Sequence, residues 1–306
     1  MPKLKTNFLG IDFENPLIIP SGILQEVNQH ELAEKYGLGG VTTKSMTVEP
    51  REGNPIPRVI KYECGILNSV GLRNPGIKKG ARLWGEFIKK TKIPVICSVF
   101  AVKIKEFVLL AEEVKKIKPE IIELNLSCPN AVDELGEPLG TGVESTYKVV
   151  KAVRKAVGKE VKLMAKLSPN VSDIGEIARA AEKAGVDAIS AINTVGPGMV
   201  INIDTRKPML GNIVGGVSGP GIRPIAVRCV WDIYKKVKLP ILGMGGVSNG
   251  KDVIEMMMAG ASLVGIGSAW YAQGFGVYEK IKKELLEYMQ KNKIKSLKKL
   301  VGVAHG

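Results

Sequence analysis

The sequence predicts a single-domain (β/α)8 barrel, of the α/β class, and three observations carry that prediction. Eight short β-rich runs recur along the chain, most of them followed by a segment of helical period. Most of these runs are almost continuously apolar, as suits parallel strands buried on both faces. The 306 residues contain no linker, no low-complexity tract and no break in composition. That length suggests about two domains by the usual domain size, but α/β barrels reach it as one. A doubly wound sheet is the alternative, and eight parallel strands without a break favour closure. One domain, residues 1–306, is therefore expected.

The elements can be placed in order. Lys3–Asn15 reads as a hairpin turning at Gly10, across the barrel bottom. The strands follow at Leu17–Gly22, Gly40–Met46, Val95–Ala101, Ile121–Ser127, Lys162–Ser168, Ala188–Asn193, Ile241–Gly246 and Leu263–Ser268. Glu106–Lys118 places Phe107, Leu110, Ala111, Val114 and Ile117 on one helical stripe. Asp173–Ala184 reads as a helix with Ser172 and Asp173 as its cap and Gly185 past its end. Two Pro- and Gly-rich stretches, Val48–Pro75 and Val195–Pro224, follow the second and sixth strands. As inserted loops of a barrel they lie over the C-terminal face, where active sites occur.

Composition removes several classes of function. With 45% hydrophobic and 24% charged residues the chain is neither disordered nor fibrous. No apolar run approaches the roughly 20 residues of a membrane span. The start, Met1 to Thr6, leads into no apolar signal core, so a cytoplasmic protein is expected. Cys64, Cys97, Cys128 and Cys229 form no C-x-x-C pair, so neither a zinc site nor an iron–sulfur cluster is spelled. The histidines, His30 and His305, each lie near a chain end and away from any motif, which disfavours histidine catalysis. The net charge of +14 raises the question of nucleic acid, but aromatics are only 5% and no recognition motif accompanies them.

Chemistry gathers where the strands end. The second ends in Thr42-Thr43-Lys44-Ser45, and the fourth in Asn125-Leu126-Ser127-Cys128-Pro129-Asn130. The fifth carries Lys166, and the sixth ends in Asn193-Thr194. A single lysine there would read as a snorkelling or ion-paired residue. Two lysines and two asparagines on one rim point to an anionic, hydrogen-bonding ligand. Gly245-Gly246 and Gly267-Ser268, after the last two strands, suit a phosphate held by backbone N–H groups. Cys97 and Cys229 read as small buried hydrophobes, and Cys64 could serve either way. Cys128 sits at the rim, where two nearby lysines could lower its pKa and make it a base or nucleophile.

These strings together resemble class 1 dihydroorotate dehydrogenases. Glu123-Leu-Asn-Leu-Ser-Cys-Pro-Asn130 resembles their catalytic loop. Asn68-Ser-Val-Gly-Leu72-Arg-Asn-Pro75, Lys166-Leu-Ser-Pro-Asn170, Ile192-Asn-Thr194, Gly215-Gly-Val-Ser-Gly-Pro220 and Gly243-Met-Gly-Gly-Val247 match as well, in family order. Asp204-Thr-Arg-Lys-Pro208 with Gly211-Asn-Ile213 looks more like class 1B than class 1A. No membrane-associating N-terminal extension of the class 2 kind is found.

The resemblance implies an FMN barrel that oxidises dihydroorotate to orotate in pyrimidine synthesis. It implies Cys128 as the base and FMN N5 as hydride acceptor. It implies that Lys44, Asn68, Ser69, Val70, Gly71, Leu72, Asn125, Asn130, Asn193 and Thr194 hold the substrate. Ser21, Gly22, Lys44, Ser45, Asn125, Lys166 and Ile192 would line the flavin, with Lys166 at its N1–C2 edge. Gly219, Gly245, Gly246, Gly267 and Ser268 would hold its phosphate. Ser98 departs from the pattern, since asparagine is common there. Class 1B further implies a homodimer core binding a partner subunit that carries FAD and a [2Fe–2S] cluster, a heterotetramer with NAD⁺ as final acceptor. The alternatives are a fumarate-linked class 1A enzyme and a dihydropyrimidine-oxidising flavin barrel. A basic nucleic-acid-binding protein is the distant one.

Overall fold

A computed structural model describes residues 3–127 and 142–306. Among these, eight parallel strands close a barrel in chain order: Leu17–Ile19, Gly40–Thr42, Val95–Val99, Ile121–Asn125, Leu163–Leu167, Ala188–Ala191, Ile241–Met244 and Ala261–Gly265. The last strand pairs back onto the first through Val264↔Leu17 and Gly265↔Ile18. All eight expected strands are present. Asn125 and Lys166 stay in the ladder, whereas Ser21, Lys44, Ser45, Ser127 and Asn193, which the sequence reading had included, lie past the strand ends. Those residues leave the ladder to face the C-terminal mouth.

Residues two apart share a face of a strand, and this splits the interior into layers. Ile18, Ile96, Ile121, Met164, Ala188, Leu242 and Leu263 form an apolar layer low in the barrel, all fully buried. Phe8 and Phe13 belong to the same cluster, their rings edge to face at 6.3 Å. They come from the hairpin Thr6–Phe8 and Ile11–Phe13, which turns at Leu9 and Gly10. Gly10 has φ +82°, the left-handed geometry that such a turn favours glycine for. The hairpin thus plugs the barrel bottom, as the sequence suggested.

The helices pack outside, each burying one stripe against the outward strand residues. Ile104–Lys116 buries Phe107, Leu110, Ala111 and Val114, beginning two residues earlier than its pattern suggested. Ile174–Ala184 is capped by the Asp173 side chain, which accepts from Glu176 N, and ends at a left-handed Gly185. Asp173 therefore acts as the cap and Ser172 does not. Among the described residues no helix is long and apolar enough to cross a membrane.

The two insertions differ from the expected loops. Parts of both fold into one antiparallel sheet in the order Val195–Gly198, Gly215–Ser218, Gly65–Asn68 and Val59–Tyr62. The central pairing joins them through Gly216↔Asn68 and Val217↔Leu67. Glycine-rich, half-exposed strands carry little β-propensity, so the pairing was invisible until the two segments met in space. A small hairpin, Ile201–Asn202 with Lys207–Pro208, extends the second insertion.

Candidate active site

Above the apolar layer the inward positions turn polar. Ile96 gives way to Ser98, Ile121 to Glu123 and Asn125, Met164 to Lys166, and Ala188 to Ser190. Ser98 is in register with Glu123, Asn125 with Lys166, and Lys166 with Ser190. All are buried.

A hydrogen-bonded chain runs around the mouth. Ser45 Oγ lies 3.1 Å from Ser21 Oγ and 2.9 Å from Ser98 Oγ, and accepts from Asn125 Nδ2 at 3.1 Å. Asn125 Oδ1 accepts from Ser127 Oγ at 2.6 Å, and Asn193 Nδ2 donates to that same hydroxyl at 2.7 Å. Five strand ends are tied together by side chains alone. Ser98 and Ser127 belong to this chain although neither stood among the expected site residues. Ser98 was marked only as a departure from a pattern.

Two lysines stand in this frame. Lys44 and Lys166 are 6% and 4% exposed. A Cβ on Gly22 would lie 3.6 Å from Lys44 Nζ, which places that ammonium beside the end of the first strand. Burial, then the charges of Lys166 and Arg73, push the Lys44 pKa down to about 8. Among the described residues neither lysine forms an ion pair with an acid. Buried cations without a direct ion-pair partner are costly, and an anion bound at the mouth would offset that cost.

The insertions form one wall. Asn68 Nδ2 donates to Gly216 O at 3.2 Å, and the Cβ position of Gly216 is filled by Thr194. Asn54, which sequence reasoning missed, shapes the Ser69–Leu72 segment. Its Nδ2 donates to Ser69 Oγ at 2.7 Å and its backbone N to Val70 O at 3.2 Å. Gly71 and Leu72 both take positive φ, +73° and +56°.

Opposite, glycines build a cradle. A Cβ on Gly246, at φ +74°, would lie 2.8 Å from Gly219 O and from Arg223 N. A Cβ on Gly245 would lie 3.2 Å from Ile192 Cγ1. Arg223 is fixed by an ion pair to Asp252, whose Oδ2 also accepts from Ser248 N at 2.8 Å. The helix Arg223–Lys236 begins at this point, so open backbone and a helix start face one ligand position. Gly267 and Ser268 open the helix Ser268–Gln273 beside Ile23.

Cys128 and Asn130 lie outside the described residues. Of the other cysteines, burial pushes the Cys97 thiol up to about 12 and the Cys229 thiol up to about 11, which disqualifies both as bases near neutrality. Cys64 is exposed on the inserted hairpin. His30 is remote from the motifs in sequence but not in space. Its ring is buried against Trp84 at 4.6 Å, with Nε2 3.3 Å from Thr42 O and Nδ1 2.9 Å from Glu26 O. It braces the strand that delivers Lys44 and does not reach the mouth as a catalyst.

The family model for dihydroorotate dehydrogenase matches residues 3–289, nearly the whole chain. The chain belongs to the dihydroorotate dehydrogenase family. Curated relatives agree over full length. The chain is 43% identical over 303 residues to the dihydroorotate dehydrogenase B (NAD⁺) catalytic subunit of Pyrococcus furiosus, covering 98% of each. It is 41% identical to the same-named protein of Methanocaldococcus jannaschii, covering 99% of this chain and 98% of that one. It is 40% identical to that of Thermoanaerobacter pseudethanolicus, covering 96% of each. Dihydroorotate dehydrogenases are oxidoreductases, and membership implies FMN on this chain. The residues fit that group. The glycines at 245 and 246 let the loop pack against Ala226, Arg223 and Gly219 where no Cβ would fit, leaving bare backbone beside a helix start, and the buried lysines and hydroxyl–amide chain supply donors for an anionic, heteroatom-rich ring.

Proposed function

We propose that this chain is the catalytic subunit of an NAD⁺-linked dihydroorotate dehydrogenase, oxidising (S)-dihydroorotate to orotate in pyrimidine synthesis. The carrying observation is the pair of buried lysines, neither in a direct ion pair among the described residues, set in a fixed array of amides and hydroxyls. Such an array suits a planar anion with ring amides, and leaves buried donors unpaired for a ligand that lacks them.

In this reading Lys44 offers its ammonium to the substrate carboxylate, helped by the backbone of Ser69–Leu72. Asn68, Asn125, Asn130, Asn193 and Thr194 hold the ring amides. Cys128 removes the proton from C5 as the hydride leaves C6, so two electrons depart and the C5–C6 double bond forms. When bound, FMN supplies the hydride acceptor. Ser21, Gly22, Ser45, Lys166 and Ile192 line it, and Gly219, Gly245, Gly246, Gly267 and Ser268 hold its phosphate. Residues 1–306 act as one domain.

The relatives' names, each a catalytic subunit of an NAD⁺-linked enzyme, support a second subunit. By the class 1B resemblance, that subunit would carry FAD and a [2Fe–2S] cluster. It binds a homodimer core to give a cytoplasmic heterotetramer. The visible spectrum of the purified protein tests the reading. Dihydroorotate should bleach the flavin and dihydrouracil should not. NAD⁺ reduction should be slow with this chain alone and fast with an iron–sulfur partner. A colourless protein, or efficient fumarate reduction by the isolated chain, would overturn it.

A further inference from the structure

We propose that Glu123 is a positioning residue for Lys166, its carboxylate serving as the fixed counter-charge beneath that buried ammonium. Glu123 is 1% exposed and faces the barrel interior. Its Oε2 accepts from Ser190 Oγ at 2.9 Å. Its Oε1 has no hydrogen-bond partner among the described residues. Glu123 lies on Ile121–Asn125 and Ser190 on Ala188–Ala191, the two strands that flank Leu163–Leu167. A side chain reaching from one to the other crosses the inner face of the strand between. On that strand Met164 is in register with Glu123 and Lys166 with Ser190. The register places the carboxylate on the face between Met164 and Lys166, with one oxygen anchored to Ser190 and one without a partner, and its charge acts on Lys166 from beyond direct ion-pair distance.

The charge inventory points the same way. Lys44, from the end of the second strand, and Arg73, from the first insertion, add positive charge at the mouth. The neighbouring inward residues Ser98, Asn125 and Ser190 are uncharged. The other buried acid, Asp252, is committed to Arg223 and Ser248. Among the described residues, Glu123 is left as the buried acid inside the barrel. A buried carboxylate with an unpaired oxygen is costly unless a charge answers it.

The experiment reads Lys166 directly in the FMN-loaded full chain. Its acylation rate by acetic anhydride is followed against pH, with the modified lysine located by peptide mapping. In Glu123→Gln the inflection should move to lower pH by about one unit, because loss of the negative charge disfavours the ammonium. Glu123→Asp should stay near wild type. If Glu123→Gln does not fold, Glu123→Met, of similar volume, carries the same test. An inflection unmoved or raised in the uncharged variant overturns the role. The inference rests on the proposed activity only for a second readout, the pH range of orotate binding. Wild-type protein that ignores orotate would sink that activity, while the lysine titration still decides Glu123.

Discussion

Ser45 Oγ stands 2.9 Å from Ser98 Oγ, so the end of the second barrel strand is tied to the third at the point where Asn125 also donates. The serine at position 98 was the one departure noted from the family pattern. Ser45 closes the distance that a longer amide would have spanned. Both hydroxyls are buried, so neither can turn to bulk water as a substitute.

Ser98→Ala should therefore lower stability by about 1 kcal/mol, the usual net value of a buried neutral hydrogen bond. It should also loosen Asn125, raising the fraction of protein purified without flavin. Denaturant unfolding followed by the ratio of flavin to protein absorbance checks both. A variant as stable and as yellow as wild type would remove Ser98 from the site.

Lys44 should set an alkaline limit on anion binding. Its pKa is lowered to about 8 by burial and by the charges of Lys166 and Arg73. Below that pH the ammonium is charged and meets the substrate carboxylate. Above it the charge is lost, so orotate affinity should fall as pH rises through about 8. Binding near that pH should take up a proton, measurable by titration calorimetry in buffers of different ionisation enthalpy. The sign for stability is opposite. Between the folded value and the ordinary lysine value the unfolded chain holds more protons, so the Lys44 contribution to stability rises with pH. Lys44→Met should abolish the limit and weaken orotate by about tenfold or more.

The barrel was legible because its evidence is periodic. Continuous apolar runs at Ile121 or Leu163 read as buried parallel strands, and Gly10 already marked the turn of the N-terminal hairpin. Lys44, Lys166, Asn125 and Asn193 were legible because charge and amide at the end of a buried strand need a reason. Ser98, Asn54 and Glu123 were not. Each acts through a partner distant in sequence: Ser45, Ser69 and Ser190 respectively. The sheet joining the two insertions was hidden for the same reason, since Gly216 and Asn68 pair across 148 residues of sequence.

Gly246→Ala should damage the cradle selectively. The backbone there has φ +74°, and a Cβ would lie 2.7 Å from Arg223 Cβ and 2.8 Å from Gly219 O. An L side chain is strained in that region whatever the space. The loss should be about 1 kcal/mol or more in stability, with flavin retention falling further than Ser98→Ala produces. Flavin release during gel filtration is the readout.

Phe13→Ala should separate stability from chemistry. Phe13 is fully buried at the barrel bottom, against Phe8 and the apolar layer and away from the mouth. Removing a buried phenylalanine ring costs about 3–5 kcal/mol. The variant that still folds at low temperature should keep its flavin and its orotate affinity. Loss of both at a temperature where circular dichroism reports a native fold would show that the plug also shapes the site.

Cys128→Ala should separate binding from chemistry at the mouth itself. Cys128 is the base proposed above, while burial raises the thiol pKa of Cys97 and Cys229. It follows Ser127 in sequence, and Ser127 is pinned by Asn125 and Asn193. The proposed base is thereby next in sequence to a residue bonded to those proposed to hold the ring. Its removal should leave those residues in place, so orotate should perturb the flavin spectrum with affinity near that of wild type. Bleaching by dihydroorotate should slow by about 10²- to 10⁴-fold near neutral pH, the range a positioned general base contributes. Cys128→Ser, which keeps a weaker proton acceptor, should regain part of the rate as pH rises. Stopped-flow bleaching across pH measures all three proteins, and an alanine variant as fast as wild type would assign the proton to another group.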